Sequence, residues 1–449
     1  MRIYGEIICF MSARGKEGWN LNRLNGIHIR HDKATEDCAT VDFPLPAEVL
    51  IIMSQHMGAP CKPLVKKGDE VTVGQKIGDT DAFMSVPIHS SVSGTVAAVE
   101  DFLNSNGSVC QAVRIKTDGA QTVCPDVKVP EITDKQSFIA AMRESGLSGL
   151  GGAGFPTHIK MNFDPAKTPI DTLVINAAEC EPHITSDYRQ LMEEPDDVIQ
   201  GILTVQKQLN IPNCKLCIEA NKPKAIQLMQ EKTADIRSID VVTLPQQYPQ
   251  GAEKVIIYSA TGRVVGEGEL PANQGVMVMN VSSVAFVHKY LETGMPLINK
   301  RITLDGNAMT KNQGNYIVPI GTPIQELLDY TGAENTEMVL YGGPMMGITL
   351  YDTMQPVLKN TNAILAFKDV KLPKETACIR CGSCIRACPL NLMPVSIENA
   401  YKAKDIEMLK KLKVTLCMNC GCCTYACPAH RNLAETNQLA KALIPRPKK

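Results

Sequence analysis

The sequence predicts a multidomain chain of α/β and α+β class: a β module, an α/β domain, a second small β-rich module and a helical C-terminal domain. Three observations predict it. Short strands separated by Gly-Asp and Ser-Gly turns crowd residues 46–125. A glycine-rich loop lies between a helical pattern and an apolar strand. Two identical cysteine ladders stand near the C-terminus. At 449 residues the chain is long enough for about three domains.

Composition narrows the function classes. The hydrophobic fraction of 44% is that of a globular protein. A net charge of −1 argues against nucleic acid as a partner. Eight of the 17 cysteines form the ladders, and the rest are scattered apart from Cys214 and Cys217. This fits reduced thiols in a cytosol better than a disulfide framework. Residues 4–11 are a short apolar stretch holding Glu6 with no basic run before it, so no signal peptide is expected. No run of about 18 apolar residues predicts a transmembrane helix.

Residues 1–45 read as an arm, with Gly26-Ile27-His28 and a charged stretch to Asp37 suggesting surface exposure. Residues 46–125 follow, with Leu64-Val65, Val71, Val73, Ile77, Val86, Ile88 and Val92 alternating between turns. This pattern is similar to the biotinyl/lipoyl-carrier fold, a flattened β barrel-sandwich. The tip, residues 81–85, has no lysine, so a structural or docking module is expected rather than a carrier.

The α/β domain is expected over residues 131–295. Phe138, Ile139 and Met142 have helical spacing. Gly146, Gly149, Gly151, Gly152 and Gly154 then put five glycines in nine residues. Such a loop lets backbone amides approach a ligand and form an anion-binding nest. It lacks the Gly-Lys-Ser/Thr ending of a P-loop and the strand that precedes a Rossmann turn. Lys160 can pair with a phosphate. The apolar strand 172–176 ends in Ala177-Ala178-Glu179-Cys180-Glu181-Pro182, and polar groups at a strand's C-terminal end are where α/β sheets bind ligands. Cys214 and Cys217 sit in a strand pattern without further ligands nearby and read as buried structural cysteines.

Residues 296–350 read as strand, strand, helix (301–306, 314–319, 324–330), a β-grasp module. Tyr341-Gly342-Gly343-Pro344 is a tight turn, with Met345 and Met346 as packing residues.

The C-terminal domain, residues 365–443, carries Cys378, Cys381, Cys384, Cys388-Pro389 and then Cys417, Cys420, Cys423, Cys427-Pro428. Each ladder reads C-x2-C-x2-C-x3-C-P, the bacterial two-cluster ferredoxin run, in which the fourth cysteine ligates the other cluster. Cys378, Cys381, Cys384 and Cys427 are therefore assigned to one [4Fe–4S] cluster, and Cys417, Cys420, Cys423 and Cys388 to the second. Zinc sites use C-x2-C pairs but lack the C-P signature. Cys422 is read as a non-ligand. Helices are expected over 396–402, 405–413 and 432–443, with a free tail after them.

The glycine loop 146–160 and the block 176–189 resemble the flavin- and NADH-binding subunit of respiratory complex I and, more closely, the C-subunit family of Rnf complexes. Tyr248-Pro249-Gln250-Gly251-Ala252-Glu253 and Asn280-Val281-Ser282-Ser283 continue the match, and the β-grasp module resembles the soluble-ligand-binding type. The resemblance spans roughly residues 25–440. It implies a non-covalent FMN held by Gly149, Gly151, Gly152, Gly154, Lys160, Asn176, Glu179, Tyr248, Gly251, Asn280 and Ser283. It implies an NADH site with Phe155 and Phe163 stacking on adenine and Glu181 and Glu253 facing the dinucleotide as the catalytic carboxylates. Two arginines of the complex I loop are Ser148 and Leu150 here, and its Asp is Ala178.

The implied role is electron input to a membrane ion-translocating NADH:ferredoxin oxidoreductase. NADH delivers a hydride, clusters accept single electrons, and a flavin converts one into the other. The implied partners are membrane subunits, and ferredoxin indirectly, with peripheral attachment at the cytoplasmic face. Two other readings are a soluble flavin–iron–sulfur reductase serving proline reductase or a cobalamin enzyme, and a non-catalytic electron-carrying or scaffold subunit with a decayed flavin site. Flavin content separates them.

Overall fold

The computed structural model describes residues 24–445. The signal-peptide expectation at residues 4–11, the first half of the arm and the tail beyond residue 445 lie outside the described residues.

The first module is a barrel-sandwich of two antiparallel sheets. One orders Glu48–Ile52, Val109–Thr117, Gly94–Leu103 and Glu70–Val71; the other orders Lys62–Pro63, Lys76–Asp79 and Ile88–His89. Alternation sets which side chains enter its core: Val49, Ile51 and Met53 pack with Ile77, Ile88, Val96, Val113 and Ile115. The other face of the first strand is buried too, since Leu50 and Ile52 meet Phe102 and Leu358. The module is thus docked on the rest of the chain by its outer face.

The α/β domain is built on four parallel strands in the order Ile239–Leu244, Asn213–Glu219, Thr172–Ala177, Val276–Asn280. Buried on both faces, these strands are near-continuous apolar runs such as Leu173-Val174-Ile175. Cys214 packs in the core on one face and Cys217 in the core on the other, so the pair is structural and the two thiols point apart.

A six-stranded mixed sheet follows, ordered Thr40–Asp42, Gly314–Pro319, Asn299–Asp305, Ala363–Phe367, Met338–Tyr341, Ile348–Thr349. Helix Ile324–Tyr330 covers it through Ile324, Leu327 and Leu328. The sheet runs past residue 350 because Ala363–Phe367 inserts between Asn299–Asp305 and Met338–Tyr341.

The surface-arm expectation needs correcting. From residue 24 the segment crosses the α/β domain, with Ile27 and Tyr248 exchanging backbone hydrogen bonds. Ile27, Ile29 and Thr35 are buried, and Thr40–Asp42 joins the six-stranded sheet. Arg30, Asp32, Glu36 and Asp37 are exposed, while Lys33 only looked solvated, because its partners are backbone carbonyls some 150 residues away, which composition does not reveal.

The C-terminal helices Pro394–Lys402, Ile406–Lys411 and Leu433–Ala442 close around Leu392, Ile397, Leu409, Val414 and Ala440.

Candidate functional site

Strand order reverses beside Thr172–Ala177, whose neighbours are the next strand in sequence on one side and the last on the other. The crevice at the C-terminal ends of strands straddling such a switch point is where open α/β sheets bind ligands. Asn176 and Asn280 are register partners there. Asn176 Nδ2 donates to the Gly251 carbonyl (2.8 Å) while its Oδ1 accepts from the Ala178 amide (3.2 Å). Asn280 caps helix Val281–Thr293, accepting from the Ser282 amide (2.9 Å) and donating to Asp187 (2.7 Å).

The glycine loop packs on this frame. The Leu150 amide donates to Ser283 Oγ (3.0 Å), the Gly149 amide to the Phe155 carbonyl (2.8 Å), and the Gly154 amide to the Gly149 carbonyl (3.2 Å). The amides of Gly151, Gly152 and Ala153 make no hydrogen bond to the described residues. Gly152 has φ +113°, and a Cβ added there would meet nothing within 4 Å. Glycine is needed here for backbone conformation, and the side it leaves open is ligand space.

A cavity of about 710 Å³ opens from the loop, within the size of small-molecule sites. Of the residues predicted for cofactor or dinucleotide, Gly149, Gly151, Gly152, Phe155, Lys160, Asn176, Glu179, Glu181, Tyr248, Gly251, Glu253, Asn280 and Ser283 line it. Two do not. Gly154 faces Asn360 and the His56–Met57 backbone of the first module. Phe163 packs on the α/β core under the Lys135 ammonium, 3.8 Å from its ring centroid; an aromatic there serves the core and a cation–π contact.

The charges are placed as follows. Lys160 Nζ lies 3.4 Å from Glu253 Oε2 and 3.3 Å from the Val278 carbonyl, so its charge is offset. The Glu179 carboxylate accepts from the Asp187 (2.6 Å) and Tyr188 (3.3 Å) amides at the start of helix Ser186–Glu193, where an acidic group belongs. Burial pushes its carboxyl upward, opposed by Lys33 and Lys222. Lys33 Nζ donates to the carbonyls of Glu179 (3.0 Å), Glu181 (2.8 Å) and Ile184. Lys222 Nζ donates to Ala178 (2.7 Å) and Glu179 (3.4 Å). Two buried ammonium groups thus hold the back of the loop that carries Glu181. Glu181 Oε2 accepts from the Met345 amide (3.0 Å), its Oε1 is buried without a partner, and burial pushes its carboxyl up to about 7.

The turn at 341–346 was expected to serve packing, yet Gly342, Gly343 and Met346 line the cavity, and the sequence missed two further walls. Leu358, Asn360, Thr361 and Asn362 line the cavity from the segment before Ala363–Phe367, and Thr415, Leu416, Cys417 and Met418 line it from the C-terminal domain. Neither carries a local motif; only the cysteine marked the second.

Cys388 stands with Cys417, Cys420 and Cys423 around a small void, beside Asn437. Cys384 packs with Cys423, Cys427 and Leu433. Cys388 therefore lies among the later ladder and Cys427 beside the earlier one. Among the described residues no group of three or more His, Cys, Asp or Glu side chains is placed to hold a single metal ion. Cys422 also lines this void and is buried in one cluster with Tyr248, Cys180 and Ala387.

Comparison with known proteins agrees with this architecture. Family models match as RnfC Barrel sandwich hybrid domain over residues 21–120, Nuo51 FMN-binding domain over 142–289 and 4Fe-4S dicluster domain over 371–441. The chain is 38% identical to the C subunit of the Na(+)-translocating ferredoxin:NAD(+) oxidoreductase complex of Acetobacterium woodii, over 83% of this chain and 85% of that one. It is 40% identical to the C subunit of the proton-translocating ferredoxin:NAD(+) oxidoreductase complex of Clostridium ljungdahlii, over 78% of each. It is 36% identical to the C subunit of the ion-translocating oxidoreductase complex of Rhodobacter capsulatus, over 93% and 82%. With such relatives matched along most of their length, the chain belongs to the RnfC family, the C subunits of ion-translocating oxidoreductase complexes.

Proposed function

We propose that this chain is the electron-input subunit of an ion-translocating NADH:ferredoxin oxidoreductase complex, using FMN and two [4Fe–4S] clusters. The observation that carries this reading is the shared wall: Thr415–Met418, at the head of the second cysteine ladder, line the same cavity as the glycine loop. FMN, when bound, supplies the conversion of a two-electron hydride into single electrons.

The chain's own residues divide the work. The amides of residues 151–153 and Lys160 hold the phosphate. Asn176, Asn280 and Ser283 keep the frame to which the loop is tied. Glu181 and Glu253 accept hydrogen bonds from ribose hydroxyls and disfavour an added 2′-phosphate, so NADH is taken over NADPH. Phe155 is the aromatic wall; Phe163, outside the cavity, has no part. Cys388, Cys417, Cys420 and Cys423 hold the cluster beside the cavity, and Cys378, Cys381, Cys384 and Cys427 the one beyond it, where Cys381 is exposed. Membrane subunits are the partners. Among the described residues no helix is long and apolar enough to cross a membrane, and attachment is peripheral, at the cytoplasmic face.

The test is Cys388→Ala, with FMN occupancy, EPR and NADH reduction measured on the full chain. FMN stays bound, the EPR signal of one cluster is lost, and NADH no longer reduces the remaining one. Loss of the signal that Cys378→Ala also removes, or unchanged NADH reduction of both clusters, overturns the assignment.

A further inference from the structure

We propose that Lys359 is the cation of the glycine loop: a positioning residue that fixes the loop from behind and gives it the positive charge a bound phosphate monoester takes up. The proposal rests on the FMN reading above and adds a residue to it.

The segment 358–362 crosses between three modules. While Leu358, Asn360, Thr361 and Asn362 line the cavity, Lys359 points into the protein and is 1% exposed. Its Nζ donates to the carbonyls of Pro87, in the barrel-sandwich, and Gly146, where the glycine loop begins, each at 2.7 Å. The next residue holds the loop's far side, Asn360 Nδ2 donating to the Gly152 carbonyl at 2.7 Å. Two consecutive residues thus set both ends of one loop.

The charge of Lys359 is not offset. Asp79, the nearest carboxylate to act on it, is taken by Arg143 at 2.7 Å and Lys76 at 3.5 Å. Of the other titratable groups facing it from the first module, Cys61 is pushed upward and His56 and His89 downward, all toward their neutral forms. Burial pushes Lys359 itself down to about 7. A buried charge without a partner is costly to keep. An anion on the other side of the loop is a partner that the described residues do not supply. Within the loop Ser148 and Leu150 are neutral and buried, and Lys160, which follows it, shares its charge with Glu253, so Lys359 adds a charge that these residues do not supply.

The test is titration of flavin-stripped full-length protein with FMN and with riboflavin, which has no phosphate, read by flavin fluorescence. Lys359→Gln keeps an amide donor for the two carbonyls and removes the charge. It is expected to bind FMN about tenfold more weakly, as loss of a through-space attraction between charges on the two sides of the loop would, with riboflavin unchanged. Wild-type affinity for FMN should fall between pH 6.5 and 9 as Lys359 loses its proton, above the phosphate's own titration near about 6, and the variant should lose this slope. Lys359→Met, which removes the clamp as well, should weaken both flavins. Equal weakening of FMN and riboflavin in Lys359→Gln, or unchanged FMN affinity, overturns the proposal. Wild-type protein that binds neither flavin overturns the FMN reading and this proposal with it.

Discussion

Asn176 and Asn280 face each other in register at the C-terminal ends of two parallel strands, and each holds a different loop. Asn176 fixes Gly251; Asn280 fixes Asp187 and starts helix Val281–Thr293. Gly151 lies against Asn280, where an added Cβ would come within 3.0 Å of its amide. The glycine loop is therefore seated on the end of the sheet.

Asn280→Ala should lose the helix cap, at a cost of about 1 kcal/mol, and leave Asp187 with Ser282 as its remaining partner on this helix. The melting transition of this domain should fall by about 2–4 °C, and FMN should bind more weakly because Gly151 loses its support. Thermal melts and a flavin titration check this; an unchanged melt with unchanged FMN affinity would sink it.

Gly152→Val should abolish FMN binding while sparing both clusters. At φ +113° a β-branched residue is strained, and its side chain would project into open cavity. Bound flavin per chain and the EPR of reduced clusters are the readouts. Normal flavin content would place the phosphate elsewhere.

The parts of the site that were legible in the sequence are those whose logic is local. Cluster ligands recur at fixed short spacings, a glycine loop announces itself by composition, and Leu173-Val174-Ile175 reads as a buried strand. What was not legible depends on distant partners. Lys33 and Lys359 look like solvated charges until the carbonyls around them are seen. Glu179 looked like a ligand contact, yet its carboxylate caps a helix that starts seven residues later. Phe163 is aromatic and close to the loop in sequence, and chain direction after Met161 takes it to the core instead.

Lys33→Met should destabilise the loop 178–184. Three carbonyls lose their donor at once, and a buried unsatisfied polar group costs about 1–3 kcal/mol. NADH oxidation should fall more than FMN affinity, since the glycine loop is held by other residues. Steady-state KM and kcat with NADH, beside FMN content, separate the two. Equal loss of both would mean that Lys33 supports the whole domain and not this loop.

Glu181→Gln should stabilise the protein at pH 8 and leave it unchanged at pH 5. Glu181 has one oxygen bonded to the Met345 amide and the other buried without a partner. Burial raises its carboxyl from 4.5 to about 7, partly opposed by the Met345 amide. Between these two values the folded protein holds a proton that the unfolded chain has released. The stability this contributes is complete below pH 4.5 and is lost as pH rises through about 7. Glutamine has no proton to lose, so the gap between variant and wild type opens as pH climbs. A pK unit corresponds to about 1.4 kcal/mol, and the cavity's partial access to solvent puts the gain at the low end, about 1 kcal/mol or 2 °C. NADH oxidation should fall in the same variant, because the amide no longer offers a charged acceptor to the ribose. Melts at pH 5, 6, 7 and 8 decide it: a gap that stays constant with pH would show that the Glu181 carboxyl titrates alike in the folded and unfolded chain.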